Sequence, residues 1–186
     1  MEYNLPESLT VGNAVYKIRC DFRDALTAFE AINDADLSET EKAIAVLYVI
    51  YPDFENMPSE QWQDALKAAI SFLNCGKENK AAGSGPKLMD WEQDFPYIIA
   101  AVNKVCGHDV RAEKCFHWWS FMAAYNEVGD CLFAQIVRIR DKKAKGKKLN
   151  KEEQEWYKHN RDIVDLKPRR SREEQEWIDN ALSKWL

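Results

Sequence analysis

The sequence predicts a mainly α protein: a helical domain with a short N-terminal β-hairpin and a charged helical C-terminal arm. Three observations predict it. Apolar residues recur three and four positions apart over most of the chain, the period of helices that bury one face. Helix-start signals stand just ahead of several of these stretches. A strand-turn-strand signal occurs once, around Gly12-Asn13.

In "LTVGNAVYKI" apolar residues flank Gly12-Asn13, a dipeptide that suits a tight two-residue turn. Phe22, Leu26 and Phe29 then mark one stripe of a helix over about 21–32. Ser38 and Glu41 form a capping box, each side chain answering the other's backbone amide. The next helix, 39–51, is apolar on most faces and is expected to lie centrally; Pro52 ends it. A third helix opens at Ser59 and runs to about Cys75, with Trp62, Leu66, Ile70 and Leu73 inward. "CGKENKAAGSGPK", residues 75–87, lacks periodicity and reads as a flexible connector.

Beyond it, a helix over about 90–106 carries Pro96 in its early turns and stops at Gly107. Two further helices, about 112–128 and 131–143, are separated by Gly129-Asp130 as stop and cap. Trp118, Met122 and Tyr125 line one side of the first; Leu132, Ile136 and Ile139 line one side of the second. Trp119 sits roughly 100° around the helix from Trp118, so one indole is expected in the core and the other on a flank. Asn150 caps a short helix, and Ser171 introduces a last one with Trp177, Ile178, Leu182 and Trp185 near one side. "EEQEW" occurs at 152–156 and again at 173–177, two matches that are too few to define a repeat. The expected division is 1–76, a linker at 77–87, an aromatic part at 88–143 and a charged extension at 144–186.

Composition narrows the classes. With 46% hydrophobic residues and seven tryptophans, 186 residues can bury a sizeable core. The longest uncharged apolar run, Ala43 to Tyr51, is too short to span a bilayer, and no secretory signal is read at the N-terminus. Five scattered cysteines suit free thiols in a reducing cytosol. The net charge of −5 conceals a gradient: residues 1–76 carry 5 basic against 13 acidic side chains, whereas 138–186 carry 15 against 10. The two ends are expected to meet different partners, or each other.

Chemistry is hard to find. Cys106, His108, Cys115 and His117 are all zinc-ligand types, but their one-residue spacers suit a metal only in an extended or sharply turned backbone. They are read as packing and capping residues, and no cofactor or metal is expected. Cys115 has no base on its own side of a helix to activate it. Phosphate-binding loops, dinucleotide turns and serine elbows are absent from the sequence, so the chain is expected not to be an enzyme. "RIRDKKAKGKK", residues 138–148, holds seven basic residues and supplies the alternative reading, a small nucleic-acid-binding protein using this segment. Against that stand the overall acidity and the "KEEQE" that follows at once.

"DWEQDFPYIIAAV", a glycine-containing turn, "HWWSFMAAYNEV" and "LFAQIVRIRDKKAKGKK", taken in that order, resemble a family of small tail-morphogenesis proteins of siphophages and prophages of Gram-positive bacteria, encoded just before the tape-measure gene. "AIAVLYVIYPDF" and the linker share in the resemblance, which covers most of the chain. It implies a non-enzymatic tail assembly chaperone in the host cytoplasm, binding the tape-measure protein and tail tube subunits, with no membrane partner. The residues expected to contact those partners are Trp118, Trp119, Phe121, Met122 and Tyr125. Arg138, Arg140, Lys142 and Lys143 would orient an acidic partner. Self-association is left open.

Overall fold

The computed structural model of the chain describes residues 4–77 and 85–167. Among these residues a two-stranded N-terminal hairpin is followed by eight α-helices, the mainly α architecture expected. Most of the anticipated linker and the anticipated last helix after Ser171 lie outside the described residues.

Strands β1 (Ser8–Val11) and β2 (Ala14–Lys17) pair antiparallel, with Val11 opposite Ala14. Gly12 takes φ +58° and Asn13 does not, the pattern of a turn that needs glycine at its first central position. Helix α1 (Phe22–Ile32) starts at Asp21, whose carboxylate accepts the Arg23 amide. Helix α2 (Glu39–Ile50) starts with the Ser38–Glu41 capping box as expected. The fully buried Ala25 and Ala28 give α1 a smooth inner face. Helix α2 is not enclosed on every side: Ile44 and Tyr48 stand one turn apart at the surface, with Tyr48 58% exposed.

Helix α3 (Trp62–Leu73) turns a different face inward from the one its large side chains suggest. Ala65, Ala69, Phe72 and Leu73 are buried, while Trp62, Leu66 and Ile70 lie on the flanks. The reason is Tyr51, which lies beneath this helix and donates its hydroxyl to the Ala65 carbonyl at 2.9 Å. Small residues are needed on the face that covers a ring. Trp62 instead covers Phe54, at 5.1 Å between centroids.

Helix α4 (Trp91–Cys106) is capped by Asp90 and ends at Gly107, φ +78°, the left-handed stop expected there. The helix anticipated over 112–128 is shorter. A 3-10 turn covers Val110–Ala112, and α5 spans only Trp118–Asn126. The intervening backbone bonds to the start of α1 instead: the Phe22 amide donates to the Phe116 carbonyl and the Trp118 amide to Cys20. Helix α6 (Leu132–Ala144) is capped by the Cys131 sulfur, not by Asp130. It buries Phe133, Ile136, Ile139 and Arg140 and leaves Leu132 exposed.

Helices α7 (Lys151–His159) and α8 (Arg161–Val164) form the described portion of the charged arm. The Asn150–Glu153 capping box opens α7. This segment folds back on α6, where Ile136, Ile139 and Val164 make a small second core flanked by Trp156, Tyr157 and Ile163. The main core is continuous across the stretches that differ in charge, joining Phe22, Tyr51 and Phe72 to Ile98, Trp118 and Phe121. No helix among the described residues is long and apolar enough to cross a membrane.

Candidate partner-binding surface

The His117-Trp118-Trp119 triplet sits where four parts of the chain meet. The last carbonyls of a helix have no partner within it and need donors from outside. Two indoles provide them for α3: Trp118 donates to the Leu73 carbonyl at 2.9 Å and Trp119 to the Phe72 carbonyl at 2.8 Å. Gly76, at φ +70°, closes the end of that helix by donating its amide to Ser71. A Cβ at this position would meet the Trp119 ring at 3.4 Å, so the glycine also keeps room for the indole.

His117 ties the other two parts. Its Nδ1 accepts the Trp119 amide at 3.0 Å, capping α5. The remaining ring nitrogen therefore carries the proton and donates to the Pro6 carbonyl at 3.0 Å. Asp21 completes the junction. One of its oxygens accepts the Arg23 amide, the other accepts the Phe116 amide at 2.7 Å, and Arg23 reaches over to the carbonyls of Arg111 and Glu113.

Trp118 is 0% exposed and is surrounded by Phe29, Trp91 and Phe121, with centroids 5.7–5.9 Å away. Phe121 is also fully buried and stacks on Phe22 at 4.8 Å. These two residues, expected from sequence to face a partner, are core. Trp119, Met122 and Tyr125 pack against the core and keep part of their surface. The Tyr125 hydroxyl meets the Met89 sulfur at 3.2 Å. The aromatic stretch thus reduces, as a surface, to one edge of α5.

Arg140 is a second correction. Its guanidinium is buried and saturated. Two donors grip Asp94 at 2.6 and 2.9 Å, and others reach the carbonyls of Leu88, Ile163 and Val164. Asp94 accepts the Asp90 amide as well. This pair, missed in the sequence reading, had a signal: Asp94 shares a helical stripe with Ile98 and Val102, and Arg140 shares one with Phe133 and Ile136. A charge on an apolar stripe calls for an opposite charge facing it.

The rest of the basic run is largely paired too. Lys142 bonds Glu153 at 2.6 Å, Lys143 bonds Asp165 at 2.5 Å and also Tyr157, and Lys145 bonds Asp141 at 2.7 Å. Arg138 is exposed and lies 3.9 Å from Asp130. Hydrogen bonding from Lys142 holds the Glu153 carboxyl below its usual range. Burial raises Asp165, but bonds from Lys143 and Tyr157 outweigh it and leave this carboxyl lowered as well. Cations already engaged by carboxylates have little left to offer phosphates, which weighs against the nucleic-acid reading.

The four zinc-type residues are not gathered. His117 is committed to its two backbone bonds, and His108 pairs with Glu113 at 2.5 Å. Cys115 lies at the surface, next to Cys20. Burial is the first cause that pushes the Cys20 thiol up to about 11, with the Cys115 sulfur adding to it. Among the described residues no group of three or more His, Cys, Asp or Glu side chains is placed to hold a metal ion.

Comparison with known families decides the lineage. The family described as "Bacteriophage Gp15 protein" matches residues 1–166. The chain belongs to that phage family. The match takes in the hairpin, the His-Trp-Trp junction, the Asp94–Arg140 pair and both short arm helices. No curated protein and no solved structure matches the chain.

Proposed function

We propose that this phage protein is a non-enzymatic tail assembly chaperone, acting in the cytoplasm of a Gram-positive host on the tape-measure protein and tail tube subunits. Membership of a phage family along residues 1–166 is the observation that carries the reading. The motif order that resembles tail-morphogenesis proteins refines it. The surface is compatible with a body that holds other helices briefly. Single apolar residues stand at the surface of several helices, among them Ile44 and Tyr48 on α2, Val105 on α4 and Leu132 on α6. The edge of Trp119, Met122 and Tyr125 adds to them. Dispersed apolar contacts of this kind favour weak, reversible binding over a sealed interface.

Co-expression with the tape-measure protein of the same phage tests the proposal. The soluble fraction of that protein should rise several-fold, and the two should co-purify at low salt. An unchanged insoluble fraction with no co-purification would defeat it.

A further inference from the structure

Helix α2 turns one side to the core and the other to solvent. Val46, Leu47 and Ile50 are buried, and α1 and α3 pack against the helix. On the opposite side Thr40, Ile44 and Tyr48 follow one another at intervals of four, and all three are exposed. Residues four apart form a continuous ridge, the one most often used when two helices pack together. Ile44 and Tyr48 are the two large apolar side chains of α2 that stand at the surface. The core of the molecule is built from the other side of the helix, so this pair is left over from folding. Tyrosine is among the side chains that carry most binding energy at protein interfaces.

The charge around the ridge is almost all of one sign. Residues 34–60 hold seven acidic side chains and one basic, Lys42, which is itself bonded to Glu39 at 2.8 Å. Glu41 lies three residues before Ile44 on the same side and is exposed. Its bonds to Ser38 hold its carboxyl below the usual range. Asp53 and Glu55 are exposed just past the other end of the helix. Arg19 reaches that end too, donating to the Tyr48 and Val49 carbonyls, but one guanidinium leaves the surroundings negative. An apolar ridge with acidic ends repels phosphate and anionic lipid and complements a basic partner. A second copy of the chain is poorly equipped for that role, because Lys142, Lys143 and Lys145 on its basic helix are paired within the copy.

We propose that the ridge of Thr40, Ile44 and Tyr48 docks a basic amphipathic helix of another protein. The partner's apolar stripe covers Ile44 and Tyr48. Lysines or arginines flanking that stripe meet Glu41 at one end and Asp53 and Glu55 at the other. Contact along a single ridge buries little area, so the binding is weak and quickly reversed. The inference deepens the chaperone reading and rests on it for the identity of the client; the ridge itself is tested apart from any client.

The probe is a synthetic amphipathic helix of leucine, alanine and lysine, about 18 residues long so that it is helical on its own, added to the full isotope-labelled chain. The amide resonances of Thr40, Glu41, Ile44 and Tyr48 should shift together and saturate with a Kd of about 100 micromolar. Tyr48→Lys and Ile44→Gln should each weaken binding about tenfold, and Asp53→Lys with Glu55→Lys about fivefold. All of these leave the buried side of α2 intact, and a melting temperature near the native one checks that each variant is folded. Leu132→Gln, on α6, should change nothing. The same peptide with glutamate in place of lysine should bind the native chain about tenfold more weakly and recover on the Tyr48→Lys chain. Unchanged affinity in both ridge variants, shifts centred on the α5 edge, equal binding of the two peptides, or no binding would each overturn the proposal. So would a self-association lost in Tyr48→Lys without any peptide binding. Tape-measure co-expression with the Tyr48→Lys chain separates the two readings: solubility raised as much as by the native chain overturns the ridge and leaves the chaperone reading standing.

Discussion

Arg140 and Arg138 sit on the same helix two residues apart and make opposite energetic cases. Arg140 is held by five hydrogen bonds in a site that solvent barely reaches, opposite an Asp94 side chain with none of its surface exposed. Arg140→Ala leaves a buried carboxylate without its charge partner and three carbonyls without a donor. The expected loss is about 3–5 kcal/mol of stability. Arg138→Ala removes exposed contacts, the ion pair with Asp130 at 3.9 Å among them, and should cost no more than about 0.5 kcal/mol. Urea denaturation of the two variants checks both values; comparable losses would mean that the buried pair is not the anchor it is taken to be. The tryptophan doublet divides similarly. Trp118→Phe keeps a ring in the core but leaves the Leu73 carbonyl without its indole donor, at about 1–3 kcal/mol. Trp119→Phe removes the same kind of bond at a half-buried site, so its loss should be smaller. Denaturation midpoints that rank the two the other way would overturn this division of roles.

Helices α7 and α8 are held to α6 by a small apolar cluster, by the Arg140 bonds to the Ile163 and Val164 carbonyls and by ion pairs at the margin. The ion pairs should make part of this attachment depend on pH. The Glu153 and Asp165 carboxyls are lowered in the fold by their lysine partners. A lowered carboxyl contributes fully above its unfolded value, about 4, and the contribution disappears as pH falls through the folded value. The attachment is therefore expected to be intact from neutral pH down to about 5 and to weaken below about 4. The Trp156 indole resonance, followed by NMR, should shift at a higher pH than that of Trp118 in the main core. A single shared transition would show that the arm and the core unfold as one unit. Caps and stops at this level could be read from sequence, because Ser38, Asn150 and Gly107 act through atoms a few residues away. The inward face of α3 could not. Its orientation depends on Tyr51 arriving from another helix, and a ring needing a smooth cover selects Ala65 and Ala69 over Trp62 and Leu66. The short α5 was hidden for the same reason: the backbone of Phe116 and Trp118 bonds to Cys20, Asp21 and Phe22 at the start of α1, about a hundred residues away in sequence.

The anticipated linker suggested separable front and rear parts, yet the main core among the described residues does not divide there. Phe22 stacks on Phe121, Phe29 packs against Trp91 and Trp118, and both indoles of the doublet close the end of α3. Residues before the linker therefore lack much of their core without those after it, and the reverse holds too. A fragment of residues 1–77 would expose Phe22, Phe29 and Phe72 and leave the α3 carbonyls of Phe72 and Leu73 without their indole donors. Losing a buried tryptophan alone costs about 3–5 kcal/mol, comparable with the whole stability of a small domain. The fragment is expected to unfold without a cooperative transition, and so is a fragment of 85–167. Mixing the two at equal concentration should restore one cooperative transition and bury Trp118, seen as a blue shift of tryptophan emission. Two fragments that each melt cooperatively would show two independent domains and would reopen Trp118 and Phe121 as surface residues. A partner would then have a broad aromatic face to bind. With one shared core, the aromatic stretch reduces as a surface to the α5 edge of Trp119, Met122 and Tyr125.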